Sequence, residues 1–215
     1  MKLSRKNLIA EYKRRKADIK NRLKEFESVC KGSDAGIFSE LCFCITTANA
    51  NALMCDKAIR ELKRSGLILN GSCSRIKPFL RGRVRFHNRK SEYIVGAREL
   101  FRRGRCVNMK KLLAMRDVFA IREWLVENVK GIGYKEASHF LRNIGLGRDI
   151  AILDRHILKN LKNYGAITKI PASVGSRKVY LAIEGKMRRY SRRINIPMAD
   201  LDLLFWSMQT GFIFK

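Results

Sequence analysis

Apolar residues recur at helical spacing along most of this chain, and the strict alternation of a strand is scarce. Only three prolines interrupt the pattern, at Pro78, Pro171 and Pro197. Together these features confine the chain to an all-α fold. Residues 3–28 read as one long basic helix, with Leu3, Ile9, Tyr12, Ile19, Leu23 and Phe26 near helical spacing. Gly32 to Gly36 breaks it, and residues 37–64 resume the pattern with an interruption near Thr46 to Asn51. Gly66 to Phe86, carrying five arginines and lysines from Arg75 to Arg85, reads as irregular. Further helices are predicted at 88–103, 109–115, 117–128, from Tyr134 to Ile144, from Asp154 to about Tyr164, and near 175–191 and 198–210. Gly145 and Gly147 close the Tyr134 helix, as glycines beyond a helix end do.

The chain carries 46 Lys and Arg against 19 Asp and Glu, a formal net charge of +27. Such an excess opposes folding by self-repulsion, so a polyanion partner is expected: nucleic acid first, an anionic membrane surface second. The cations are spread throughout, so charge alone locates no binding face. A hydrophobic content of 46% excludes a disordered basic tail. The 215 residues suit one domain or two small lobes. No stretch has the roughly 20 apolar residues of a spanning helix. Met1 to Lys20 lacks the apolar core of a signal peptide, so the expected location is intracellular, in the cytoplasm or at the nucleoid. Cys30, Cys42, Cys44, Cys55, Cys73 and Cys106 form no CxxC pair and no zinc-finger spacing, so they read as buried free thiols. His87, His139 and His156 are too scattered for a metal centre.

The segment from Trp124 to Leu141 is the most informative. Two amphipathic helices are joined by Lys130-Gly131-Ile132-Gly133. Glycine permits positive φ and a close backbone approach. The unpaired N–H groups and dipole of the following helix favour an anion such as phosphate. Taken alone, the pattern also fits an ordinary helix–turn–helix corner. Lys135 falls just inside the second helix, and Asp154 follows 19 residues later at the start of the next. A neutral lysine amine is a nucleophile that can form a Schiff base. The plainer readings are a solvated surface lysine and an Asp N-cap.

Together these residues resemble the helix–hairpin–helix DNA glycosylase superfamily, over Val129 to Ala137 for the hairpin and Ala151 to Ile157 for the aspartate segment. The resemblance extends over nearly the whole chain to the archaeal-type, second family of 8-oxoguanine DNA glycosylases. It is carried by residues 41–51, Asn88 to Val95, Lys130 to Asn143, Ala151 to His156, and the stretch from Asp202 through Trp206 to Lys215. In that superfamily a lysine at the position of Lys135 marks glycosylases that are also lyases. Relatives with an iron–sulfur cluster carry four cysteines after the aspartate; here none follows Cys106, which excludes a cluster at that site.

The resemblance implies base flipping, because a base inside a duplex cannot be reached. It implies that Asp154 stabilises positive charge on the sugar, and that Lys135 attacks C1′ and leaves an imine that undergoes β-elimination. No side chain is expected to hold a metal and no cofactor is required. Backbone carbonyls of Glu127, Val129 and Ile132 match those that bind a monovalent cation in related hairpins. The amides of Gly131 and Gly133 would meet a phosphate, as would His156, which also reads as a helix-surface histidine. Asn49 matches the residue that fills the gap left by the flipped base, with Asn51 and Ala48 close enough to blur the alignment. Arg89 and Lys90 fall where relatives contact the opposite base or strand, and a plain phosphate contact fits them equally. Trp206, Phe214 and Lys215 match the base pocket, with Trp206 also readable as an amphipathic-helix core residue.

The expected architecture is two helical lobes with the active site in the cleft between them. Residues 1–34 and 149–215 would form one lobe, and residues 35–148 a bundle ending in the hairpin. The expected function is excision of 8-oxoguanine from double-stranded DNA with AP-lyase cleavage, by a monomer without membrane contact. The rivals are a glycosylase/lyase for another oxidised base and a non-enzymatic hairpin DNA-binding protein.

Overall fold

The computed structural model describes residues 4–115 and 117–215. Among them lie twelve helices and one two-stranded antiparallel ladder, so the all-α expectation holds. The chain divides into two compact units, one of residues 29–140 and one of residues 1–28 with 141–215.

The unit of residues 29–140 is built around α2 (Asp34–Thr47). Its Ser33 cap accepts the Gly36 N–H at 3.1 Å. Every residue from Ile37 to Thr47 except Glu40 is buried, as suits the central helix of a core. Helix α3 (Ala52–Arg64) follows the expected break. The region expected to be irregular instead forms α4 (Leu67–Asn70) and α5 (Cys73–Leu80). The physical reason is one pair: Ile76 and Leu80, a turn apart, are both fully buried. The surrounding arginines hid that pair, and Pro78 suggested a break. Pro78 lies within α5, which ends two residues later, as a missing N–H and a crowded ring allow.

Helix α6 (His87–Phe101) ends sooner than its pattern suggested, because Arg102–Arg103 (β1) pairs with Cys106–Val107 (β2). Helices α7 (Lys110–Leu113), α8 (Val118–Asn128) and α9 (Tyr134–Asn143) complete the run. The unit boundary at residue 140 falls inside α9.

The other unit contains most of α1 (Arg5–Lys31), with α10 (Arg155–Asn163), α11 (Arg177–Ile194) and α12 (Met198–Thr210). Tyr12, Ile19 and Phe26 form the buried stripe of α1 as expected, with Leu8 rather than Ile9 completing it. Leu3 lies outside the described residues. Asp200, almost fully buried, accepts a hydrogen bond from the Tyr12 hydroxyl at 2.6 Å and pairs with Lys20 at 2.8 Å. Tyr164 stacks on Phe205 with centroids 5.6 Å apart. All six cysteines are free thiols, but only Cys42, Cys44 and Cys55 are buried. No described helix is long and apolar enough to cross a membrane.

Candidate functional site

The hairpin turn begins where Val129 leaves the α8 ladder with extended backbone angles, its N–H still donating to Leu125. The Val129 carbonyl accepts the Ile132 N–H at 3.2 Å. Ile132 is buried and anchors the turn from within. Gly131 has φ +84°, and a Cβ there would collide with the Tyr93 ring. Glycine is therefore required at that position by both conformation and space. Gly133 is different: a Cβ would meet only the Glu136 carboxylate at ordinary contact distance.

Helix α9 is buried along nearly all its length, and only Lys135 and Glu136 in its first turn are partly exposed. The Lys135 ammonium lies 3.2 Å from the Glu136 carboxylate, with 24% of the lysine side chain exposed. A lysine displayed at the N-terminus of an otherwise buried helix is the least ordinary feature of the hairpin. Sequence reasoning missed Glu136, whose signal was only its adjacency to Lys135.

In the same unit, Asn49 is exposed at φ +55° in the turn between α2 and α3. Asn51 is occupied otherwise, its Oδ1 accepting the N–H groups of Leu53 and Met54 as the cap of α3. The two asparagines are thereby distinguished: one side chain is spent on the helix, the other is displayed. Arg89 is exposed, but Lys90 is buried. The Lys90 ammonium donates to the carbonyls of Thr46 at 2.7 Å and Ala48 at 2.5 Å. Lys90, expected at the DNA strand, is instead turned inward to the end of α2. Burial holds its pKa below the usual lysine value. Phe86, which the sequence did not single out, is 56% exposed at φ +58° with the Arg85 guanidinium 4.8 Å from its ring. Such a backbone conformation is uncommon for a bulky aromatic residue.

In the other unit, Asp154 is the N-cap of α10, and its Oδ1 accepts the N–H groups of His156 and Ile157, both at 2.8 Å. Oδ2 has no hydrogen-bond partner among the described residues, and the side chain is partly exposed. Capping and chemistry are therefore compatible: one oxygen orients the carboxylate and the other is displayed. His156, in the first turn of α10, is half-buried and its Nε2 accepts from Arg155 at 3.3 Å.

At the C-terminus Gly211, at φ +90°, ends α12 and turns the chain back. Trp206 is half-exposed rather than core, with Phe212 edge-on at 5.3 Å and Phe214 stacked at 6.2 Å. Phe212 joins the expected pair Trp206 and Phe214. Lys215 is partly exposed beside them in sequence. Among the described residues no three His, Cys, Asp or Glu side chains are grouped for a metal.

A nearly all-helical chain with a glycine-pinned hairpin and a lysine at the head of its second helix defines the helix–hairpin–helix class. A family model described as 8-oxoguanine DNA glycosylase matches residues 19–196, and the chain belongs to that family. It is 45% identical over 206 residues to an 8-oxoguanine DNA glycosylase/AP lyase of Fusobacterium nucleatum, covering 95% of this chain and 94% of that relative. It is similar, at a TM-score of 0.86 and 38% identity, to the Methanocaldococcus jannaschii 8-oxoguanine glycosylase/lyase in complex with a 15mer DNA containing 8-oxoguanine, covering 97% of this chain and 98% of that one. The 8-oxoguanine DNA glycosylase of Thermotoga maritima gives a TM-score of 0.83 at 34% identity, covering 98% of each chain.

Proposed function

We propose that this protein excises 8-oxoguanine from double-stranded DNA and cleaves the strand at the resulting abasic site, acting as a monomer. The observation that carries this reading is Lys135, presented in the first turn of the otherwise buried α9. Family membership and the activity carried in the names of the relatives support it.

The chemistry assigns a role to each displayed group. The neutral Lys135 amine attacks C1′ of the flipped nucleotide, forming a C–N bond as the glycosidic bond breaks. The base leaves with the bonding electron pair and takes up a proton. The Asp154 carboxylate stabilises the positive charge that builds on the sugar, and the alkylated lysine nitrogen releases a proton to solvent. The sugar ring opens to an imine. Loss of a C2′ proton then expels the 3′ phosphate, and water releases the lysine.

The remaining assignments concern DNA. The amides of Gly131 and Gly133 and the side chain of His156 meet phosphates, which the +27 charge also attracts. The carbonyls of Glu127, Val129 and Ile132 fit a monovalent cation through their oxygen character, since Val129 leaves the helical ladder at this turn. That cation would supply positive charge beside the phosphate. Asn49 fills the gap left by the extruded base, and Arg89 contacts the opposite strand. Trp206, with Phe214, stacks on the damaged base, and Lys215 reads it.

The test is a single-turnover comparison of duplexes bearing 8-oxoguanine, undamaged guanine or an oxidised pyrimidine. Excision confined to 8-oxoguanine supports the reading. Preferred excision of the pyrimidine lesion, or tight binding with no excision, refutes it.

A further inference from the structure

Residues 150–153, just before Asp154, are neither helix nor strand, yet all are at most 5% exposed. Buried irregular backbone must find hydrogen-bond partners, since each orphaned group is costly. Here the partners are side chains from helices far along the chain. On α11, the Tyr180 hydroxyl donates to the Ala151 carbonyl at 2.6 Å and accepts the Leu153 N–H at 3.3 Å. One turn later, Glu184 accepts the Ala151 N–H at 2.9 Å. On α12, Asp202 accepts the Ile152 N–H at 3.4 Å. Asp154 closes the segment by donating its own N–H to the Ile152 carbonyl at 2.8 Å.

The three residues are at most 3% exposed, and two of them carry carboxyl groups. Burying carboxyl groups is a costly way to hold a loop. The result is that every N–H from Ala151 to Asp154 is fixed. The next residue in line, Asp154, has its Oδ1 fixed from the other side by α10.

We propose that Tyr180, Glu184 and Asp202 are positioning residues for the reaction, fixing the Asp154 carboxylate by hydrogen-bonding the backbone of Ala151 to Leu153. The proposal rests on the assignment of Asp154 as the carboxylate that assists base departure. A displacement of about 1 Å at such a group can cost on the order of 100-fold in rate. The strap is buried from solvent, so its loss should act on the chemical step and leave DNA affinity alone.

The test uses full-length Tyr180→Phe, Glu184→Leu and Glu184→Gln. Three quantities are measured: single-turnover excision from an 8-oxoguanine duplex, Kd for that duplex, and borohydride trapping on a duplex with a preformed abasic site. Tyr180→Phe and Glu184→Leu should slow excision by about tenfold or more, with Kd within about threefold of native. Trapping on the abasic duplex should fall far less, because no base has to leave. Glu184→Gln, whose amide oxygen still accepts the Ala151 N–H, should restore most of the rate. Native excision in Tyr180→Phe and Glu184→Leu overturns the proposal. So does a parallel loss of excision, trapping and folded fraction, which marks a purely structural strap. Asp154→Asn in the same assay separates the two levels: if it excises at the native rate, the assignment of Asp154 itself is wrong.

Discussion

The Lys90 ammonium donates a hydrogen bond to the Thr46 carbonyl at 2.7 Å and so caps the last turn of α2 with a positive charge. A second bond to Ala48 reaches the residue before Asn49. Lys90 thus supports the left-handed Asn49 turn, while its neighbour Arg89 is exposed. The two adjacent cations should separate in a salt titration of DNA binding. Arg89→Ala should reduce the slope of log K against log salt by about 0.9, the value of one phosphate contact. Lys90→Met should leave the slope unchanged and lower thermal stability, because it removes the Lys90 donor from the Thr46 and Ala48 carbonyls.

Gly131 is pinned by its φ of +84° and by the Tyr93 ring. Gly131→Ala should destabilise the protein by about 1–3 kcal/mol and weaken DNA binding by displacing the turn amides. Gly133→Ala, which meets only ordinary contact, should cost less stability in the same thermal melt.

The Asp202 carboxyl carries the clearest pH signature. Burial, with the Asp154 carboxylate adding to it and Arg142 opposing, pushes its pKa from 3.8 up to about 6. Between those values the folded protein holds a proton that the unfolded chain has released. The stability Asp202 contributes is therefore fully present below about pH 4 and is lost as pH rises through about 6. Asp202→Asn lacks this titration. Its unfolding free energy relative to native should become more favourable between pH 4 and pH 7 by an amount on the order of a few kcal/mol at most, read from thermal melts. A constant difference across that range would contradict the assignment.

Trp206 and Phe214 are stacked at 6.2 Å, and Lys215 follows directly in sequence. Deleting Lys215 should reduce discrimination between 8-oxoguanine and guanine more than it reduces duplex affinity. Trp206→Ala should weaken retention of the flipped base by about 1–3 kcal/mol, read as slower excision with little change in the salt slope. Unchanged discrimination in the Lys215 deletion would remove that residue from base recognition.

Much of the site was legible because its signals are local. The GxG turn, the lysine one residue into α9 and the aspartate capping α10 lie within a few residues of the structure they dictate. Most helix ends followed from the same periodicity and caps. Other features depend on partners distant in sequence. The inward turn of Lys90 needs carbonyls 42 and 44 residues away. The strap on Ala151 to Leu153 draws on groups 27 to 50 residues later. Tyr180, Glu184 and Asp202 read locally as ordinary helix residues, and only tertiary packing gives them a backbone to hold. Helix α5 escaped notice because one buried pair, Ile76 and Leu80, was set among exposed cations.

In the proposed mechanism Lys135 forms the covalent intermediate. Borohydride reduction during reaction with an 8-oxoguanine duplex, followed by peptide mapping, tests it most directly. A protein–DNA adduct on Lys135 is expected, abolished in Lys135→Gln while duplex binding persists. An adduct mapped to another residue, or none from native protein that binds the duplex tightly, would contradict it.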